Sequence, residues 1–255
     1  MSIFNALILG IVEGITEFLP ISSTAHLILT ARLLYIPTSS FLKTFEIAIQ
    51  LGAIAAVAIL YWKTFLYRWD INKKIIAAFL PTAILGYFLY SVFKSLLEGY
   101  AVVLWALLLG GIFLILFEWK HREKESNIDE ISKISFKQAI LIGIFQAVSI
   151  IPGVSRAAAT IIAGMFLGLK RKTAVEFSFL LALPTMVAAT GYDLFKNAGE
   201  FSQDQFAVLG TGFIISAVTA LLAISFLLRF VKKHDFKPFG FYRIALVVAL
   251  LLLMV

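Results

Sequence analysis

Glu13-Gly14-Ile15-Thr16-Glu17-Phe18-Leu19-Pro20-Ile21-Ser22-Ser23-Thr24-Ala25-His26 interrupts an apolar stretch that otherwise covers residues 2–34. A helix needs about 20 apolar residues to cross a bilayer. Each arm flanking Pro20-Ile21-Ser22-Ser23 is shorter than that, and a break in lipid leaves backbone N–H and C=O groups unpaired. Such backbone is tolerated only where protein buries it or it lines a wet cavity. The stretch therefore reads as a re-entrant helical hairpin that enters a membrane and returns to the same side. A second stretch, residues 136–169, has the same form around Pro152-Gly153-Val154-Ser155-Arg156.

The rest of the chain agrees with a membrane setting. Of 255 residues, 61% are hydrophobic and 15% charged, against about 45–50% and about 25% in soluble domains. Six apolar runs suit complete crossings: 44–62, 75–93, 99–119, 173–194, 206–228 and 239–255. The absence of cysteine excludes disulfides and thiolate metal sites. The first residues carry no Lys or Arg, so they lack the basic segment of a cleaved signal peptide. The net charge of +7 does not point to nucleic acid, because the bases sit between apolar runs, where they read as topology signals.

The two hairpins look like copies. Gly10-Ile11-Val12-Glu13 aligns with Gly143-Ile144-Phe145-Gln146 at a shift of 133 residues, which also lays Ser22 on Ser155. Each hairpin precedes three crossings, so the second half is inverted relative to the first, a layout that builds binding sites near the midplane. The expected fold is an all-α polytopic membrane protein of six transmembrane helices plus two re-entrant hairpins in an inverted repeat. Residues 1–119 form the first repeat, 120–135 a cytoplasmic linker and 136–255 the second repeat. With this layout sixteen of the 22 Lys and Arg residues fall on one side. Lys43, Lys94 and Lys196 fall on the other, and Arg32, Arg156 and Arg243 lie within membrane segments. That asymmetry assigns the sixteen to the cytoplasm and both termini to the outside.

An ionisable group inside a membrane segment is costly and marks a functional candidate. Glu13 and Glu17, four apart, share one helical face. Two buried carboxylates repel, so the pair needs a shared proton, a metal ion or a cationic partner. It reads as a proton-sharing structural pair or as a metal–phosphate or acid–base site, and the neighbouring Ser22, Ser23, Thr24 and His26 favour the second. A helix starting near Ser22 aims N–H groups and its positive dipole end at the hairpin tip, where an anion would sit. Ser23 and His26, three apart, are expected within reach of one another, as a base that activates a serine must be. A serine capping a helix beside a buried histidine is the plain alternative. Arg156, at the tip of the second hairpin, offers phosphate a planar fork of donors; an internal ion pair with Glu13 or Glu17 is its alternative. If both tips reach the midplane, all these groups converge on one cavity, with Glu46, Gln50 and Glu176 as further candidates for its lining. Arg32 and Arg243 are expected to snorkel, and Trp62, Trp69, Trp105 and Trp119 to include interfacial anchors.

The first of these stretches closely resembles the first signature of the bacitracin-resistance family of undecaprenyl-diphosphate phosphatases. Gln146-Ala147, followed by Pro152-Gly153-Val154-Ser155-Arg156 and Thr160, resembles the second. The likeness covers essentially the whole chain, including Phe45-Glu46-Ile47-Ala48-Ile49-Gln50-Leu51-Gly52 and Glu176-Phe177-Ser178-Phe179-Leu180-Leu181-Ala182. There are two departures: Ala157-Ala158 stands where the family usually has Ser-Gly, and Ala25 where a glycine usually precedes the histidine. The altered tip is expected either to lose a phosphate hydrogen bond or to pack more tightly.

The resemblance implies hydrolysis of undecaprenyl diphosphate to the monophosphate and phosphate in the bacterial plasma membrane, with the site opening to the outer side. This recycles the lipid carrier of cell-wall synthesis and gives bacitracin resistance. It implies a divalent cation, Mg²⁺ or Ca²⁺, on Glu13 and Glu17. The diphosphate then falls to Arg156 and Ser155, with Ser22, Thr24 and Thr160 in support. Ser23 is the candidate nucleophile with His26 as base and then acid; a water activated by His26 or Glu17 stays open. The partners implied are the polyprenyl diphosphate lipid and the bilayer, without nucleic acid; monomer and homodimer are both open. The rival reading is a transporter or flippase of a polyprenyl phosphate lipid, since inverted repeats with broken helices are transporter architecture. A third is a structural or resistance-associated membrane protein without turnover, against which the clustered Glu, His and Arg argue.

Overall fold

The computed structural model describes residues 1–96, 100–197 and 205–254. Gly99, Val255 and the side chains of Lys94 and Lys196, which the sequence argument uses, lie outside the described residues. Among those described there are ten α-helices: α1 (Ile3–Thr16), α2 (Ser23–Leu33), α3 (Ser40–Tyr67), α4 (Trp69–Leu96), α5 (Tyr100–Lys120), α6 (Phe136–Gln146), α7 (Arg156–Phe166), α8 (Arg171–Asn197), α9 (Phe206–Phe230) and α10 (Lys237–Met254). Single 3-10 turns precede α6 (Ile131–Lys133) and follow it (Ala147–Ile150). The described part is all-helical, with one isolated bridge between Ile128 and Leu169.

Serine hydroxyls start several of these helices by accepting an otherwise orphaned N–H. Ser2 accepts from Asn5, Ser39 from Leu42 and Ser155 from Ala158, each at 3.1 Å. Ser135 and Gln138 form a reciprocal capping box at α6. Four helices are long and apolar enough to cross a membrane: Ser40–Tyr67, Ala101–Lys120, Arg171–Gly191 and Phe206–Phe230. Phe88, Trp105, Trp119 and Leu252 stand outward and exposed, as side chains facing acyl chains or the interface do. The chain is a multi-pass membrane protein. By contrast α1, α2, α6 and α7 have 14, 11, 11 and 11 residues, below the roughly 17 that the thinnest crossing needs. α1 folds back on α2 and α6 on α7, giving two helical hairpins.

The helix boundaries repeat. Ile3 and Phe136 open α1 and α6, and Ser23 and Arg156 open α2 and α7; both pairs stand 133 residues apart. The later counterparts, Trp69 with Phe206 and Tyr100 with Lys237, stand 137 apart. Packing exchanges the halves: α1 lies on α9 while α6, the counterpart of α1, lies on α4, the counterpart of α9, and α3 pairs with α8 as α5 does with α10. Matching hydrogen bonds recur. Thr82 Oγ1 donates to the Gly143 carbonyl at 2.7 Å, and Thr219 Oγ1 to the Gly10 carbonyl at 3.4 Å. Glycine is required where these helices meet. A Cβ on Gly143 would collide with the Ala78 carbonyl, and one on Gly14 with the Thr219 hydroxyl. One apolar core joins both halves, setting Phe18 and Leu19 of the first break among Ala157, Ile161, Phe177 and Phe179.

Candidate active site

The break after α1 ends in strain. Ser22 has φ 71° and ψ 96°, a left-handed conformation that costs a non-glycine residue about 1–3 kcal/mol and persists only where its surroundings over-determine it. His26, one turn into α2, supplies that restraint: its Nδ1 lies 2.7 Å from the Ser22 carbonyl. The second break uses Gly153 at φ 91° for its own left-handed turn, where lack of a Cβ makes the conformation free. α2 and α7 then start at Ser23 and Arg156, so two helix N-termini converge on one place.

Between them lies a cavity of ≈ 190 Å³, bordered by Glu17, Ser22, Ser23, Thr24, Gln50, Ser149, Val154, Ser155, Arg156, Thr185 and Met186. It is smaller than the roughly 300–1,000 Å³ of drug-sized pockets, so it suits a compact polar head rather than a lipid tail. Glu17 is its centre. Oε2 accepts from Ser23 Oγ at 2.6 Å, and Oε1 accepts from Arg156 Nη2 at 3.2 Å. Both side chains of the ion pair are nearly buried, at 7% exposure for Glu17 and 10% for Arg156. Arg156 Nη1 donates to the Ser178 carbonyl at 3.0 Å, its guanidinium carbon lies 5.7 Å from the Phe18 ring centre, and its Nε has no partner.

The other expected residues divide. Ser155 caps α7 and also donates to the Leu19 carbonyl at 3.4 Å, tying one hairpin to the other. Thr160 is buried, and its hydroxyl serves the Arg156 carbonyl at 3.0 Å and Ser178 Oγ at 2.6 Å, supporting the first turn of α7 from behind. Gln50 borders the cavity; Glu46 does not, and Glu176 pairs with Lys172 at 3.6 Å.

Two expectations are corrected. His26 does not meet Ser23: its Nδ1 is taken by the Ser22 carbonyl, and Nε2 lies 2.8 Å from the Tyr242 hydroxyl. Spacing along a helix said that the two could share a face, but the ring bonds Tyr242 of α10 instead, and Glu17 is the side chain that reaches Ser23. Arg243 does not snorkel. It is 1% exposed and donates to the carbonyls of Leu107, Ala106 and Gly153, which offer a buried guanidinium nearer acceptors than any interface. Ser149 and Thr185 also border the cavity, and Ser178 holds Arg156 and Thr160 behind it; each is a lone hydroxyl in an apolar run, which carries no signal in the sequence.

Glu13 is fully buried beside the Glu17 carboxyl, and neither of its oxygens meets an N–H or O–H donor. Its counterpart 133 residues on is Gln146, whose Nε2 instead donates to Thr82 and Thr185 at 2.9 and 3.0 Å. No group of three or more His, Cys, Asp or Glu gathers among the described residues. Two carboxylates beside hydroxyls nonetheless fit a hard divalent cation, which commonly completes its shell with phosphate oxygens and water. The unpartnered oxygens of Glu13 are the observation that favours it.

Residues 6–249 match the family described as Bacitracin resistance protein BacA. The chain belongs to that family. It is 50% identical over 246 residues to an undecaprenyl-diphosphatase of Wolinella succinogenes, covering 96% of each chain. It is 51% identical over 245 residues to one of Aquifex aeolicus, covering 96% of this chain and 95% of that one. To one of Campylobacter jejuni it is 48% identical over 247 residues, covering 96% and 92%. Ala157 and Ala158 are both buried, and the Ala158 N–H reaches Ser155, so the tip is packed and capped.

Proposed function

We propose that this protein is an integral membrane phosphatase that hydrolyses undecaprenyl diphosphate to undecaprenyl phosphate and inorganic phosphate, so recycling a cell-wall lipid carrier and giving resistance to bacitracin. The observation that carries the site is Glu17, which bonds Ser23 of one hairpin and Arg156 of the other at once. A base, a nucleophile and a phosphate-binding cation are thereby held within one cavity.

In the mechanism proposed, the terminal phosphate enters between the N-termini of α2 and α7. Arg156 and the N–H groups of those first turns stabilise charge on the transferring phosphoryl group, where positioning and electrostatics dominate. Glu17 Oε2 takes the Ser23 proton as Oγ attacks the terminal phosphorus. The bond from that phosphorus to the bridging oxygen breaks, and undecaprenyl phosphate leaves with the electron pair. Water then attacks the phosphoseryl phosphorus and the bond from that phosphorus to Ser23 Oγ breaks; Glu17 returns its proton to Oγ, takes one from the water, and releases it to solvent as phosphate leaves. Direct attack by a water bound to Glu17 is the alternative route. Ser22, Thr24 and Ser155 border the phosphate position. Glu13 and Glu17 are the residues to hold Mg²⁺ or Ca²⁺, which when bound would neutralise diphosphate charge.

The topology proposed has six crossings and two re-entrant hairpins, with residues 1–119 and 136–255 as inverted repeats around the linker 120–135. Both termini and the mouth of the site face outward. Supporting it are the matching helix starts, the exchanged packing and the sixteen bases on one side. Phosphate release from undecaprenyl diphosphate in detergent micelles tests the function. Release by the wild-type chain, lost with chelator and lost in a folded Arg156→Ala variant, is expected. Lipid transfer across vesicles without any release would instead favour a carrier.

A further inference from the structure

Neighbouring residues of α10 each hold one of the two hairpins. Arg243 is among the largest fully buried side chains, and it makes no ion pair among the described residues. Its Nε donates to the Leu107 carbonyl at 3.3 Å, and Nη2 to the carbonyls of Ala106 at 2.9 Å and Gly153 at 3.1 Å. Two of these anchor it on α5; the third is the turn of the second hairpin, three residues before Arg156. Gly110 makes the room, since a Cβ there would strike the guanidinium. A buried cation without a counter-ion is a poor choice for stability alone, so its use in fixing that turn stands out.

Tyr242 serves the first hairpin. Its ring stacks on His26 with centroids 5.5 Å apart and planes 1° apart, and its hydroxyl lies 2.8 Å from Nε2. The Ser22 carbonyl can only accept, so His26 Nδ1 carries the proton; in the neutral ring Nε2 then accepts, and Tyr242 donates. The chain of contacts runs from Tyr242 through His26 to Ser22, the left-handed residue before Ser23. Arg243 runs in parallel through Gly153 toward Arg156.

We propose that Tyr242 and Arg243 are positioning residues that set the separation of Ser23 and Arg156, the first through His26 and the second through the Gly153 carbonyl. This rests on the phosphatase reading above. The test uses the full chain in detergent, measuring kcat, KM, the inhibition constant of inorganic phosphate and thermal unfolding. Tyr242→Phe keeps the stacked ring and loses one hydrogen bond, so kcat should fall about tenfold with KM within about twofold. In a His26→Gln background the same change should add less than about twofold, because its path to Ser22 is already cut. Arg243→Lys keeps the charge but loses the three-way grip, so phosphate should inhibit about tenfold more weakly, beside the lower melting temperature that unpaired buried carbonyls bring. A purely structural role would lower the active fraction and the melting temperature while leaving the phosphate constant alone. The positioning role is overturned if Tyr242→Phe keeps its full effect without His26, or if Arg243→Lys leaves phosphate inhibition as in the wild type. A wild-type chain that releases no phosphate overturns this role and the phosphatase reading together.

Discussion

Replacing Glu17 by glutamine separates its charge from its shape. In the native site one carboxylate oxygen takes the Ser23 hydroxyl at 2.6 Å and the other takes Arg156 at 3.2 Å, with both members of the ion pair nearly buried. Glutamine keeps one acceptor oxygen, so one of the two bonds survives, and its amide turns a donor toward the other partner. Removing a member of a buried pair outright costs about 3–5 kcal/mol. With one bond kept, the loss should be nearer the roughly 1–3 kcal/mol of a single unsatisfied buried group. The chemical effect is larger, because the amide cannot take a proton. Loss of a general base lowers kcat by about 10²–10⁴. KM should hold or fall, since an Arg156 freed of its carboxylate has more charge to offer a phosphate. The assay is phosphate release from undecaprenyl diphosphate in detergent over a range of substrate concentrations, beside thermal unfolding of the same preparations. A folded Glu17→Gln variant with kcat within about threefold of wild type would refute the assignment of Glu17 as the base. A variant whose KM rises while kcat holds would move Glu17 to substrate binding.

Ser23→Ala should lower kcat by about 10³ or more if Ser23 is the nucleophile, and acid-quenched wild-type enzyme should carry phosphate on that residue; a variant retaining a tenth of the activity assigns attack to water. Glu13→Gln should raise the cation concentration giving half-maximal activity by about tenfold or more. The same change should raise the melting temperature in chelator, because it removes a buried and unpartnered carboxylate; equal cation responses would take Glu13 out of the metal site. Gly143→Leu drives a side chain into the Ala78 carbonyl across α4 and α6, and should cost about 1–3 kcal/mol or more, read as a lower melting temperature or loss of monodisperse protein in mild detergent.

What could be read along the chain is what the local sequence encodes. The breaks at Pro20 and Pro152 announce four helices too short to cross, and Arg156 stands opposite Glu17 as one of its two expected readings had it. What could not be read is pairing between distant elements. His26 and Ser23 are neighbours in sequence, yet the partner that decides the orientation of the imidazole is Tyr242, which lies 216 positions away. Arg243 sits six residues into α10, where counting from the helix end suggests an interface; the carbonyls of α5 and of the second hairpin make burial the better solution. Positions 133 residues apart hold Glu13 and Gln146, Glu17 and Ile150, Ser23 and Arg156, and His26 and Ala159. The first hairpin thus carries the acids and the second the arginine, while α1 packs on α9 and α6 on α4. Residues of both hairpins border the cavity, so changes at Gly10, Gly14 or Gly143, where these helices meet, should act on catalysis through the same surface that holds the fold.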